Sequence, residues 1–496
     1  MSESLNYYKE IIKEKRKQTS FRDFLKEIVS WHPFILNKNS WLVSRFPKSS
    51  RVKICDKKEF EENRDDLVKS WINYDFEKDF LNNFEKLFKQ IKLPNIFHYK
   101  ANENSDFTDV AVDSKNTYLS NCVVLYSQNV LYSFMVRWEC DTVLNSLFVS
   151  SNSQNIYFSR WIISSFNVFY SSYINNSNNI WFCSNLVWCC ECISCNNLEN
   201  QKYCINNKKL EKRDYLVKKQ EILKQKNNFD KYFWKIETLW KNHWSSNSNW
   251  NYIINSDNVS NWYYTFGTKN AKNVMFIWAD KQNDNFYDVF IAGGSGRYDN
   301  YAVQSTGGSD WIYCSSSIWY SFNIYYSYFL EWCSYCIWCI WLKNKSYCIL
   351  NKEYTKEQWE KLSVKIFESM EQKWTLWEFF PAKLNPFYFN DTVAGLIWWF
   401  KKEEITKEWF MWRDEEIKID IPDESLIISI SELSNYEWFD KNWNWKINPE
   451  ILEKVIKIES WDYYRIVKME YDFLVKYWLP LPRLHWLERM KVNFGV

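Results

Sequence analysis

The chain has 496 residues, enough for two to four domains and for a sizeable buried core. Lys and Arg number 63 against 61 Asp and Glu, and a net charge of +2 excludes a global field that would draw the molecule to nucleic acid or anionic lipid. Tryptophan outnumbers glycine 31 to 8, although ordinary usage would give a chain of this length roughly 35 glycines.

The opening run MSESLNYYKEIIKEKRKQ is charged and has no apolar signal-peptide core. The most apolar stretch, 311–342, is broken by Ser315 to Ser317, Asn323 and Glu331, so it falls short of a membrane-spanning helix. A soluble, cytoplasmic protein is expected.

Residues 1–100 read as a helical region, with apolar residues three and four apart in EFEENRDDLVKSW and in DFEKDFLNNFEKLFKQIK, which Pro94 ends. From about 106 the composition shifts to Ser, Asn, Tyr, Phe, Val and Ile, and a short phrase recurs. It reads SQNVLYS (127–133), CDTVLNS (140–146), SQNIYFS (153–159), SFNVFYS (165–171) and SNNIWFCS (177–184). Its central Asn or Asp falls at 129, 141, 155, 167 and 179, a period of 12 to 14. The phrase returns as SDWIYCS (309–315) and SFNIYYS (321–327), with weaker copies near Asn258 and Asn273.

Fixed-period self-similarity signals stacked repeats, and this unit is too short for a helical hairpin. It suits one coil of a narrow parallel β-solenoid, with one β-rich tetrapeptide per coil, Asn hydrogen-bonding Asn in the next coil, and aromatic ladders. An antiparallel sheet with generic alternation is the alternative; regular hairpin turn signals are lacking. The expected fold is therefore mainly β, a duplicated short-coil parallel solenoid with helical N- and C-terminal regions. The lobes are expected at 101–210 and 246–353, with a helical linker at 211–245 and a mostly helical region at 354–496. Duplication is suggested by CECISCNNLENQKYCINNKK (190–209), which matches CSYCIWCIWLKNKSYCILNKE (333–353) at an offset of 144. Each copy enters a charged helical run that would cap an open stack.

Fourteen cysteines are present, eleven of them in 183–204 and 314–348. The spacing C-x2-C-x2-C-x8-C occurs twice, as Cys189, Cys192, Cys195 and Cys204, then as Cys333, Cys336, Cys339 and Cys348. Four thiolates at such spacing can hold tetrahedral zinc. The competing reading, a ladder of small buried thiols stacked inside the solenoid, is favoured. The four histidines, His32, His98, His243 and His485, build no site. In DKNWNWKINPEI, Asp440, Asn442 and Asn444 take positions 1, 3 and 5 of an EF-hand-like loop, but position 12 is Ile451, so a plain turn is expected. No phosphate-binding loop, dinucleotide fingerprint, nucleophile elbow or zinc-protease motif occurs.

Several tryptophans stand where glycine belongs. Trp31, Trp374, Trp409 and Trp478 each follow a helical run, where a left-handed Gly commonly ends a helix. NHWSSNSNWN (242–251) and DKNWNWK (440–446) put Trp after Asn at turns. Most of these codons are read here as UGA decoded as glycine in the source organism. Left-handed backbone and exposed indoles are expected at Trp31, Trp374, Trp409 and Trp478, and a well-buried side chain at Trp412.

The runs NENSDFTDVAVDSKNTYLS (102–120), CIWCIWLKNKSYCILNKEYTKEQWEKL (336–362), WEFFPAKLNPFYFNDTVA (377–394), KEWFMWRD (407–414) and YDFLVKYWLPLPRLHWLERM (471–490) carry a resemblance. With Gly at Trp338, Trp341, Trp377, Trp409 and Trp478, the chain resembles, over most of 50–496, a family of β-solenoid, zinc-ribbon-like proteins of candidate-phylum bacteria. The resemblance implies solenoids flanked by zinc-ribbon-like segments, and some members carry a CoA-transferase-like (CaiB/BaiF) label that no residue here explains. The flanking ribbons lack their cysteines, since only Cys55 precedes residue 100 and none follows Cys348.

The function expected is a non-enzymatic scaffold or binding protein. Its partner would be a protein, or a second copy met through the solenoid faces, rather than nucleic acid or membrane. The alternatives are a zinc protein through the two cysteine clusters, or an enzyme, carbohydrate-active or CoA-transferase-like, without a recognisable motif.

Overall fold

A computed structural model describes residues 3–39, 42–50, 52–67, 69–78, 80–226, 229, 251–254, 256–294, 298–414, 421, 424–458 and 462–494. The turn-like run at 242–250, most of the expected linker and the expected start of the second lobe lie outside them. Strand accounts for 39% and helix for 28%, in a β-solenoid of about 17 turns with helices toward the termini.

One sheet runs from His98–Tyr99 to Lys208–Lys209, the other from Asn251–Ile254 to Lys352–Glu353. In the first lobe four-residue strands recur about every six residues, and each pairs in parallel with the strand after next. Gln154–Tyr157 thus lies on Phe166–Phe169, and Arg160–Ile163 on Ser172–Asn175. A coil of 12 residues therefore carries two strands where the repeated phrase suggested one. Antiparallel pairing enters each sheet at its C-terminal hairpin, Lys202–Ile205 with Lys208–Lys209 and Ser346–Ile349 with Lys352–Glu353.

The coil is made by a left-handed residue at every third position: Asn155, Phe158, Trp161, Ser164, Asn167 and Tyr170 have φ between 45° and 60°. Left-handed backbone costs an ordinary residue about 1–2 kcal/mol, and Asn tolerates it best after Gly. The abundance of Asn follows from this. Each corner aims the next residue into the lumen, so a coil has four inward positions.

Two of the inward columns are aliphatic. Val130, Val143, Ile156, Val168 and Ile180 stack in register, as do Val136, Val149, Ile162, Ile174 and Leu186. The other two are mostly serine, with Cys140 between Ser127 and Ser153 in one of them. Ser159 Oγ accepts the N–H of Ser171 at 3.1 Å and donates to the Tyr157 carbonyl at 2.8 Å, and Ser133, Ser146 and Ser171 repeat the scheme. The serines thereby satisfy inward N–H groups that burial would otherwise leave unpaired.

The chain divides into two interleaved units. One comprises 1–95 and 240–413, including the second lobe; the other comprises 96–239 and 414–496, including the first. In the former, the N-terminal helix Glu3–Arg16 lies along a tyrosine ladder. Tyr287, Tyr301, Tyr313 and Tyr325 stack with centroids 5.1, 5.9 and 5.1 Å apart and planes within 8°. Lys17, Lys13 and Lys9 stand over Tyr287, Tyr301 and Tyr313 at 5.8–5.9 Å. Four helical residues advance about 6 Å, close to one coil, so a Lys every fourth residue meets successive rings. Arg16 closes the contact by donating to Asp288 at 2.7 Å.

In the latter unit, helix Lys468–Tyr477 packs Phe473 on Tyr157 and Tyr477 on Phe169, with centroids 5.7 and 5.1 Å apart. The helices Lys212–Lys224 and Lys356–Gln372 follow the hairpins of the first and second lobes, and the latter starts with a Thr355/Gln358 capping box. The described residues of 374–494 alternate short helices, 3-10 turns and small sheets.

Two tryptophan expectations are corrected. Trp31 belongs to a 3-10 turn, Val29–Trp31, and is 1% exposed among Tyr328, Phe379 and Phe380, because that turn points it into the core. It is not among the left-handed residues, although its Nε1 has no acceptor. Trp412 is half-buried rather than buried, with its ring parallel to Phe389 at 6.4 Å.

Candidate functional site

The eight cysteines of the two motifs all lie in the solenoid interior and are at most 2% exposed. Their order around the coil follows the columns. Cys192 and Cys204 continue the aliphatic column above Ile180, Cys195 continues the serine column through Cys183, and Cys189 sits above Ser177. In the second lobe Cys336 and Cys348 continue Ile312 and Ile324, Cys339 follows Ser327, and Cys333 follows Ser321. Sulfur takes over the role of the serine oxygen: Cys183 Sγ accepts the N–H of Cys195, and Cys195 Sγ that of Asn207, both at 3.3 Å.

The x2 spacing thus places three thiols at successive inward positions of one coil, and the x8 spacing returns the fourth directly above the middle one. The Cys192 thiol interacts electrostatically with its neighbours Cys189, Cys195 and Cys204, and the Cys336 thiol with Cys333, Cys339 and Cys348. The interaction with Cys192 pulls the Cys189 thiol down to about 7, and that with Cys336 lowers Cys333. The Cys192 thiol is pushed far up by its interactions with Cys189 and Cys195, and burial raises Cys336. Each quartet is thus a hub with three neighbours. Among the described residues, no group of three or more His, Cys, Asp or Glu side chains is arranged to enclose a metal ion. All fourteen thiols are free.

The outer surface carries a second regular array. Asn104 donates to Asn116, Asn116 to Asn129, and Asn129 to Asp141, at 3.0, 3.1 and 2.8 Å. Asn155, Asn167, Asn179 and Glu191 form a second run at 3.0, 2.8 and 2.9 Å. Each run ends on a carboxylate, which accepts without needing to donate onward. Glu191 then accepts from Tyr215 at 3.1 Å and Lys219 at 2.7 Å, anchoring the helix Lys212–Lys224 on the end of the ladder. Beside the second run lie exposed Asn152, Gln154, Phe166 and Asn176. Successive coils repeat at the strand spacing of about 4.8 Å.

The loop at 440–444 is a plain turn. Asp440 accepts N–H bonds from Asn442 and Asn444, both at 2.8 Å, and the Asn444 amide at 3.1 Å, so its carboxylate is used within the loop. A depression of about 130 Å³ lined by Asn104, Asp106, Phe107, Asn116, Thr117, Tyr118 and Met469 offers one carboxylate, and it is small against the 300–1,000 Å³ typical of ligand sites. Sequence reading missed the serine columns, although the serines bracketing each phrase were their signal.

No protein-family model, curated protein or solved structure matches the chain. Among the described residues no helix is long and apolar enough to cross a membrane.

Proposed function

We propose that this chain is a scaffold or binding protein whose working surface is the amide face of the first lobe. The observation that carries this reading is the row of Gln154, Phe166 and Asn178 beside the Asn155–Asn167–Asn179 ladder, repeated at one residue per coil with Phe166 42% exposed. A row of fixed, evenly spaced amides and an aromatic ring suits a polypeptide partner, including a second copy of the chain. Amides can satisfy a backbone, and the ring supplies apolar area at little entropic cost. A photo-crosslinking residue at 166, compared with one at Tyr126, a 65% exposed corner elsewhere on the same lobe, checks this by locating the bound chain. Sedimentation of the Phe166→Glu variant reports self-association. Equal crosslinking from both positions together with unchanged sedimentation would refute it.

A second reading concerns the thiol quartets. Support comes from the second lobe, where two serine columns and one aliphatic column change to Cys around one coil, and from the first, where Cys189 and Cys192 make the change in the same coil and their serine neighbour column makes it one coil earlier, at Cys183. A small buried hydrophobe has no need of that coincidence; a soft-metal site such as zinc does. The sulfurs would have to draw in around a common centre. Cobalt titration of the reduced protein, read by thiolate-to-metal charge-transfer absorption, decides between them.

A further inference from the structure

Outside 98–209 and 251–353, the spans of the two solenoid sheets, the described non-glycine residues with left-handed backbone are Trp374, Trp409, Trp443 and Trp478, with φ of 60°, 72°, 60° and 57°. No other residue type occurs there in that conformation. Three of them occupy the same position in the same motif. After the helix Lys468–Tyr477, the N–H of Leu479 reaches the Leu474 carbonyl at 2.8 Å, and that of Trp478 reaches Val475 at 3.4 Å. After Lys356–Gln372, Thr375 bonds to Met370 at 2.9 Å and Trp374 to Glu371 at 3.0 Å. After Lys402–Lys407, Phe410 bonds to Ile405 at 3.3 Å and Trp409 to Thr406 at 3.1 Å.

This paired 6→1 and 5→2 pattern is the Schellman helix end, whose left-handed C′ residue is usually Gly because a β-carbon there crowds the chain. Trp443 stands in the hairpin loop between Glu437–Phe439 and Trp445–Ile447, with its N–H on the Asp440 carbonyl at 2.9 Å, another position that favours Gly. The four side chains are 69%, 80%, 62% and 41% exposed, and the contacts they make, Trp374 edge-on to Trp377 and Trp443 beside Phe439 and under Lys224, leave each indole largely in solvent. Inside the lobes the same test has no power, since left-handed corners there accept Tyr, Phe, Met and Cys as readily as Trp.

We propose that the protein made in its own organism carries glycine at 374, 409, 443 and 478, through codons that organism decodes as glycine. The assignment follows backbone conformation and not tryptophan as such, so Trp31 and Trp412, with ordinary φ, stay outside it.

The experiment is fragment-ion sequencing of tryptic peptides from the natively expressed protein. The peptide Tyr477–Arg483 contains one Trp, and the expected result is a mass about 129 Da below that calculated with Trp, glycine having no side chain. The peptide Glu408–Arg413 contains two, and it is expected to read Gly at 409 and Trp at 412. Peptides covering 374 and 443 are expected to read Gly at those positions. Trp found at any of the four overturns the assignment there. Gly at 412 as well would overturn the backbone criterion itself.

Discussion

The left-handed positions make a quantitative forecast for the protein expressed with the sequence as written. At Trp409 the indole is 80% exposed, so Trp409→Ala removes little packing and should leave stability within about 0.5 kcal/mol. Alanine retains the β-carbon at φ 72°, where left-handed backbone costs about 1–2 kcal/mol. Trp409→Gly removes that strain, offset by about 0.4–1 kcal/mol from the greater freedom of the unfolded chain. The Gly variant should therefore exceed the Ala variant by about 0.5–1 kcal/mol. The assay is urea denaturation of both variants and the parent, comparing midpoints at constant slope. A Gly variant about 1 kcal/mol less stable than Ala would refute the strain argument. Trp374→Gly and Trp443→Gly, far apart in sequence and on different elements, should add to it.

Ser159→Ala should destabilise by about 1–3 kcal/mol in the same assay, because it leaves the buried N–H of Ser171 without its acceptor, while Ser159→Cys should be milder because Cys serves that column at 183 and 195. Cys192→Ile, the residue its own column uses at 180, should leave folding intact in a thiol ladder; if the quartet binds metal, the variant abolishes the cobalt charge-transfer band at the first cluster. Glu470→Ala strands Arg489, which is 2% exposed and donates to Glu470 at 2.5 Å, and should cost about 3–5 kcal/mol. Burial lowers the Lys226 ammonium to about 7, so between that value and its ordinary pKa the unfolded chain binds more protons than the folded one and stability rises with pH. Lys226→Met should thus stabilise most below pH 7 and least near pH 10, as read by denaturation midpoints across that range.

The repeated phrase and its spacing specified a stack of short parallel coils, because a column position in a solenoid recurs at one coil length whatever surrounds it. The Asn at 155, 167 and 179 could be foreseen as a ladder for the same reason, and the tyrosines at 301, 313 and 325 as a stack. The eight cysteines were legible as two quartets, but whether their sulfurs face one point depends on how inward positions are shared around a coil. Spacing alone does not fix that, since Cys189, Cys192 and Cys195 occupy different columns.

What the sequence determined by itself is therefore local and periodic: the coil length, the parallel stacking, the helical runs after each lobe, and the excess of tryptophan at helix ends. Tertiary structure alone decided that residues 414–496 share a unit with the first lobe and 1–95 with the second, against chain order, and that Trp31 belongs to the core. The physical reason is that periodicity encodes contacts between neighbouring coils. The pairing of Lys9, Lys13 and Lys17 with the second lobe's tyrosines, by contrast, is a match of two surfaces about 270 to 304 residues apart, and no local pattern in either segment names its partner.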